Sequence, residues 1–275
     1  METIKTVISQ MGQNTQCSPN EDEYIKDGVL YCKKCDTPKQ EFIAYFGKYM
    51  PIRCKCRKEE MERQEERARL VQKQMRIAFL KEQSLLGERY QNALFENTET
   101  SHSREYEVIF NRCKRYCEVA DEVRKNGTGI YLFGTKGTGK SRLTACMGNE
   151  LMANNHTVLY TNFAEIAKKI ISTKTDYVEE LAQIEFLFID DFGTEKVTKG
   201  KEDMWLQEKV FEVINKRYID NKPIIFTSNY SLEELVRDRG VADKTVDRIM
   251  EMCEIMKLEG QSYRVTAMRN RERLF

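Results

Sequence analysis

Residues Gly134-Thr-Lys-Gly-Thr-Gly-Lys-Ser141 fit G-x-x-x-x-G-K-[ST] at every fixed position. Glycines let such a loop curl so that its backbone N–H groups turn inward, and a helix starting after it adds partial positive charge. Gly134, Thr135, Lys136, Gly137, Thr138 and Gly139 are therefore expected to wrap the phosphates of a nucleoside triphosphate. Lys140 is expected to reach the β- and γ-phosphates, and the Ser141 hydroxyl to ligate magnesium. The metal also needs a carboxylate. Asp190 follows the apolar run Phe186-Leu-Phe-Ile189, at the carboxyl end of a predicted strand, where open α/β sheets place ligands. It is assigned to magnesium, and its neighbour Asp191 to orienting or activating the attacking water. Asn229 closes another apolar run and would hold that water beside the γ-phosphate. A strand-ending Asn also serves plain turns; the phosphate loop upstream favours the functional role.

A second group of residues suits a metal. Cys32-Lys-Lys-Cys35 and Cys54-Lys-Cys56 are two close pairs with eighteen residues between them. Zinc takes four thiolates in a tetrahedron, and close pairs on two turns deliver two ligands each, with a short hairpin between them. A module of this size has little core, so metal binding would supply much of its folding free energy. Cys17 is a spare that could replace one ligand or stay free. Cys113 and Cys117 lie four apart on one helical face without a second pair and read as core. His102 and His156 are isolated and suggest no site.

Three stretches must position these groups. Residues 1 to about 57 hold five of the nine cysteines and three of the four prolines. Residues 58–87 are charge-rich, free of Pro, and free of Gly until Gly87, which predicts a helix joining two modules. Its apolar residues (Leu70, Val71, Met75, Ile77, Ala78, Leu80) gather late, so only its second half is expected to pack. Residues 88–275 alternate strand and helix signals. Strands are predicted over 129–134, 157–161, 186–191 and 223–229, with a further strand over 262–266. Helices are predicted over 140–153, 163–172, 203–220 and 243–258. Strands separated by helices imply an α/β fold with parallel pairing and helices on both faces.

Composition bounds the rest. The chain has 275 residues, 40% of them hydrophobic and 32% charged, with a net charge of +1. No apolar run is long enough to cross a membrane, and the first residues lack the apolar core of a secretory signal. Cysteines without such a signal fit a reducing compartment, so a cytoplasmic location is expected and no membrane partner. Any DNA site has to be a local patch.

Beyond residue 88 the chain resembles AAA+ ATPases of the DnaC/DnaI helicase-loader and IstB transposition-helper group. The matching pieces are the phosphate loop with Gly-Ile-Tyr-Leu-Phe before it, Phe-Leu-Phe-Ile-Asp-Asp-Phe-Gly-Thr-Glu195, Phe-Thr-Ser-Asn-Tyr230 and Gly-Gln-Ser-Tyr-Arg264. The resemblance implies an AAA+ domain with a five-stranded parallel sheet, binding ATP and magnesium. It makes Asn229 the sensor-1 residue, Arg248 the arginine finger offered to a neighbouring subunit and Arg264 sensor 2; residue chemistry alone does not single out these two arginines. It implies self-association through the ATPase domain. Similar cysteine modules precede the ATPase in phage and bacterial loaders and grip a hexameric replicative DNA helicase. Single-stranded DNA is bound in this group by the segment after the second strand, which here carries Lys168, Lys169 and Lys174; the tail adds Arg269, Arg271 and Arg273. The leading expectation is a loader acting in a bacterial or phage-infected cell. A duplex-binding transposition helper and a nucleotide-switched adaptor without turnover are the alternatives.

Overall fold

The computed structural model describes residues 19–100, 103–172, 176–194 and 201–260. Contacts divide the chain into two compact units, Met1–Gln72 and Lys73–Phe275.

The first unit is built from two hairpins. β1 (Glu23–Lys26) pairs antiparallel with β2 (Val29–Cys32), Lys26 opposite Val29. The two residues between them, Asp27 and Gly28, both have positive φ, +50° and +79°. A two-residue turn with both centres left-handed matches the twist of the flanking strands, which is why Asp-Gly is favoured there. β3 (Gln40–Ile43) pairs with β4 (Lys48–Pro51), and this second hairpin lies between the two cysteine pairs, as the spacing predicts. Helix α1 follows over Lys55–Gln83, with residues 55–72 in the first unit and 73–83 in the second. Leu80 is its one buried residue.

In the second unit, α2 (Glu88–Gln91), α3 (Arg104–Glu118) and α4 (Ala120–Asn126) precede the first sheet strand, β5 (Gly129–Phe133). Then come α5 (Lys140–Ala153), β6 (Val158–Thr161), α6 (Phe163–Ser172), α7 (Tyr177–Ala182) and β7 (Phe186–Phe192). The chain continues through α8 (Lys201–Ile219), β8 (Ile224–Ser228), α9 (Leu232–Arg239), α10 (Asp243–Met252) and β9 (Cys253–Lys257). The five strands lie in the order β6-β7-β8-β5-β9, all parallel.

Both faces of the sheet are covered, which explains why its strands read as unbroken apolar runs. Ile130, Leu132, Phe186 and Phe188 face a core shared with α3 and α5; Cys113, Cys117, Cys146 and Met147 belong to it. Tyr131, Leu187, Ile189 and Phe226 face the other core, with Val213, Ile214, Leu235 and Ile249. Cys113 and Cys117 are thus core residues as expected, and burial pushes the Cys113 thiol up to about 12. Arg217 on α8 is fully buried. Its guanidinium donates to the carbonyls of Leu181 (2.5 Å), Ile184 (3.0 Å), Glu185 (3.2 Å) and Pro223 (2.8 Å).

One element departs from expectation. The helix predicted over 243–258 ends at Met252, and Cys253–Lys257 is the fifth strand. No Gly or Pro marks the change; pairing of Gly129 with Cys253 and Phe133 with Lys257 decides it. The strand predicted over 262–266 lies outside the described residues.

Candidate functional site

The phosphate loop joins β5 to α5. Gly134 has φ +136°, and a Cβ there would lie 2.2 Å from the Leu258 carbonyl oxygen, so no other residue fits. The Thr138 hydroxyl donates to the Thr135 carbonyl at 2.9 Å and closes the loop on itself. α5 starts at Lys140, so its first N–H groups lie at the loop. The buried Lys140 ammonium donates to the carbonyls of Gly134 and Thr135, each at 2.8 Å, and to Asn229 Oδ1 at 3.2 Å.

Ser141 on α5 donates to Asp190 Oδ1 at 3.0 Å. A hydroxyl and a carboxylate facing each other at this spacing are hard oxygen ligands of the kind magnesium takes. Burial and the neighbouring Asp190 carboxylate push the Tyr160 hydroxyl, which meets Thr144 at 2.9 Å, well above the usual tyrosine range. The register of β7 on β8 slips between Ile189 and Phe192, and Asp191 takes φ +53°. This bulge brings both adjacent carboxylates to one end of the sheet. Asn229 Nδ2 then lies 3.5 Å from Asp191 Oδ1.

Sequence reasoning assigns no role to one residue here. Thr227 Oγ1, buried on β8, donates to Asp190 Oδ1 and accepts the Asp191 N–H at 3.0 Å. A single hydroxyl thus holds the Asp190 carboxylate and the backbone of Asp191. Its position, two before Asn229 on a strand entering the site, was the available clue.

These groups open onto a cavity of about 530 Å³, whose lining includes Lys136, Gly137, Gly139, Lys140, Ser141, Arg142, Asp191, Thr194 and Asn229. Such a volume suits a small-molecule ligand. The rest of the lining comes from Tyr90, Asn97, Thr98 and Glu99, before α3, and from Tyr106.

The other expected residues lie apart from this cavity. Arg248 on α10 stacks over the Tyr218 ring at 4.5 Å and donates to Asn215 Oδ1 (3.2 Å) and Glu251 Oε2 (2.8 Å). Lys168 is exposed near Glu165, and Lys169 donates to Gln83 Oε1 at 3.0 Å. Arg264, Lys174, Arg269, Arg271, Arg273, Cys17 and His102 lie outside the described residues. His156 is buried, edge-on to Phe186 and 3.8 Å from Glu185, so it belongs to a structural cluster.

In the first unit the sulfurs of Cys32, Cys35, Cys54 and Cys56 all lie within 4.8 Å of one another. Cys32 to Cys56 is 3.6 Å and Cys54 to Cys56 is 3.5 Å. Four thiolates 2.3 Å from a central zinc would stand about 3.8 Å apart, so the cluster fits that ion. The Thr37 hydroxyl, 3.0 Å from Cys35, and the neighbouring thiols hold the Cys35 thiol down to about 6.

The model of the IstB-like ATP binding protein family matches residues 56–271. Phage-like element PBSX protein XkdC of Bacillus subtilis (strain 168) is 32% identical over 155 residues, covering 53% of this chain and 55% of that protein. Replicative helicase loader DnaI of the same organism is 24% identical over 199 residues, covering 66% of this chain and 60% of that protein. The chain therefore spans little more than half the length of these relatives. The crystal structure of the DnaC helicase loader matches with a TM-score of 0.54 at 19% identity, covering 63% of this chain and 100% of that one. This likeness, with the parallel sheet and the phosphate loop, shows an AAA+ fold. The chain belongs to the family of IstB-like ATP-binding proteins.

Proposed function

We propose that this protein is an ATP-dependent loader that holds a hexameric replicative DNA helicase and helps place it on single-stranded DNA. The observation that carries this is the joining of two devices in one chain: a phosphate loop whose Lys140 and Ser141 already meet Asn229 and Asp190, and a separate four-thiol cluster. The name of DnaI supports the reading.

In this proposal residues 1–57 hold the helicase, the helix over 58–87 links, and residues 88–275 bind and hydrolyse ATP. Ser141 and Asp190 would hold magnesium, which when bound neutralises charge between the phosphates. Cys32, Cys35, Cys54 and Cys56 would hold a zinc ion that fixes the two hairpins. Lys140 leaves the Gly134 and Thr135 carbonyls for the β- and γ-phosphates. Asp191 accepts a proton from the attacking water, and Asn229 orients that water. Charge that develops on the transferring group calls for a further cation. Arg248 supplies it from a neighbouring copy, since its contacts are with Asn215, Tyr218 and Glu251 and it does not line its own cavity, and Arg264 acts within the same chain. Lys168, Lys169 and Lys174 track the DNA backbone without sequence preference.

Native mass spectrometry with a hexameric replicative helicase and ATP tests the proposal. A discrete complex, with one zinc per copy, lost on Lys140→Ala, is expected. Absence of the complex together with ATP-dependent assembly on duplex DNA would replace it with a transposition helper.

A further inference from the structure

The nucleotide cavity has a second wall, formed by Tyr90, Asn97, Thr98 and Glu99. Its near end is anchored by burial. Ala93 and Phe95 are 1% and 4% exposed, and Phe95 stands edge-on to Phe110 at 5.2 Å. Asn149 Nδ2 donates to the Tyr90 and Ala93 carbonyls at 3.0 and 2.9 Å. Beyond Phe95, Cys146 Sγ lies 3.4 Å from Thr98 Oγ1, and Arg142 makes the bonds to Asn97 and Thr98. Arg142 Nε donates to Thr98 Oγ1 at 3.2 Å, and Nη2 donates to Asn97 O and Oδ1 at 3.0 and 3.1 Å.

Arg142 directly follows Ser141, in the first turn of α5. Arg142 thus ties Asn97 and Thr98 to the first turn of the helix whose start holds the phosphates, while Asn149 holds Tyr90 further along the same helix. The wall's own polar groups are already spent on its shape. Asn97 Oδ1 also accepts the Leu94 N–H at 3.0 Å, and Asn97 Nδ2 donates to the Asn92 carbonyl at 2.8 Å. Thr98 Oγ1 donates to the Leu94 carbonyl at 2.8 Å. Only the planar fork of an arginine can take the side chain of one residue and both oxygens of its neighbour at once; a lysine offers a point charge.

We propose that Arg142 is a positioning residue that fixes the Asn97–Glu99 wall over the nucleoside end of the bound nucleotide. This rests on the cavity being the ATP site. The triphosphate occupies the loop between Gly134 and Ser141, so base and ribose take the remaining lining, which is Tyr90, Asn97, Thr98, Glu99, Tyr106 and Thr194, with Arg142 at its border, its Nε and Nη2 bonded to Thr98 and Asn97. With the wall locked, the nucleoside meets a preformed surface and no ordering cost is left for binding. Arg142 itself adds nothing to phosphate affinity in this arrangement.

Binding of ATP and of inorganic tripolyphosphate to the full chain separates the roles. Hydrogen bonds from a charged donor contribute enough that their loss weakens binding about tenfold or more. Arg142→Ala is expected to weaken ATP by that factor and to leave tripolyphosphate within about twofold. Arg142→Lys, which keeps the charge and loses the fork, should match Arg142→Ala for ATP. Asn97→Ala, which leaves α5 intact, should shift ATP in the same direction without moving tripolyphosphate. Equal weakening of both ligands in Arg142→Ala would make Arg142 a phosphate ligand and overturn the proposal. So would full recovery of ATP affinity in Arg142→Lys, or ATP binding unchanged in all three variants. A wild-type chain that binds neither ligand would instead overturn the assignment of the cavity itself.

Discussion

Thr227→Val removes one oxygen and keeps the shape of the side chain. That oxygen donates to Asp190 and accepts the Asp191 N–H at 3.0 Å, on a residue 2% exposed, so water cannot take its place. A hydrogen bond to a charged group contributes about 1.5–3 kcal/mol, and an N–H left unpaired costs about 1 kcal/mol more. The variant is expected to lose roughly 2.5–4 kcal/mol in all, divided between folding and the magnesium site. Asp190 keeps its bond from Ser141 at 3.0 Å, so the carboxylate stays in place but less firmly aimed. Nucleotide binding without magnesium uses neither carboxylate and should change by less than about twofold. The extra affinity that magnesium confers on ATP should fall about tenfold, which corresponds to roughly 1.4 kcal/mol. Turnover should fall at least as far. A fluorescent ATP analogue titrated with and without magnesium reads the first effect, and phosphate release with single-stranded DNA and helicase reads the second. Thr227→Ser keeps the hydroxyl and should stay close to wild type. Unaltered magnesium dependence and turnover in Thr227→Val would refute the idea that this hydroxyl aims Asp190 and fixes the backbone under Asp191. An equal loss with and without magnesium would instead mean that the loop itself had collapsed.

Three further outcomes follow from the geometry. Cys54→Ser, or chelation of the wild-type chain, should unfold the two hairpins and release one zinc per chain, read by elemental analysis beside circular dichroism; retention of structure without metal would reject the zinc assignment. Arg217→Met strips four carbonyls of their donor and should cost about 3–5 kcal/mol in urea unfolding; a loss below about 1 kcal/mol would show that burial, which lowers this guanidinium to about 9, had cancelled its hydrogen bonds. Burial alone would raise Glu185, but the His156 imidazole 3.8 Å away, the hydrogen bond from the Thr157 N–H at 2.7 Å and the charge of Lys73 outweigh it and hold the carboxyl down to about 2, against 4.5 when unfolded. The contribution is present above about pH 4.5 and is lost as pH falls towards 2; it is about 3 kcal/mol. Glu185→Gln should flatten that part of the acid profile of urea unfolding, and an unchanged profile would exclude the cluster as its source.

Much of this was legible because local signals and tertiary demands agree. β5, β7 and β8 are buried on both faces, so unbroken apolar runs marked them, and the phosphate loop sat between a strand and a helix as its chemistry requires. The four thiols were found by spacing, since close pairs bring ligands together whatever the intervening fold. The Asp27-Gly28 turn and its hairpin went unread although Asp-Gly is a strong turn signal. β9 was hidden for another reason. Met252 and Cys253 carry nothing that ends a helix, and the strand exists because β5 offers it an edge to pair with. Thr227 and Arg142 act through partners 36 to 45 residues away, a kind of coupling that no local pattern encodes.

The bulge at the end of β7 also limits which acid can stand at its turn. A regular strand would send two successive side chains to opposite faces; left-handed backbone at Asp191 cancels that alternation. Such backbone is tolerated by Asp and Asn, whose short polar side chains bond locally, more readily than by longer acids. The length of the carboxylate facing the cavity is therefore set by the backbone beneath it. Lengthening that arm by one methylene would strain the turn before it gained any reach, so a longer acid here would require a differently bent strand.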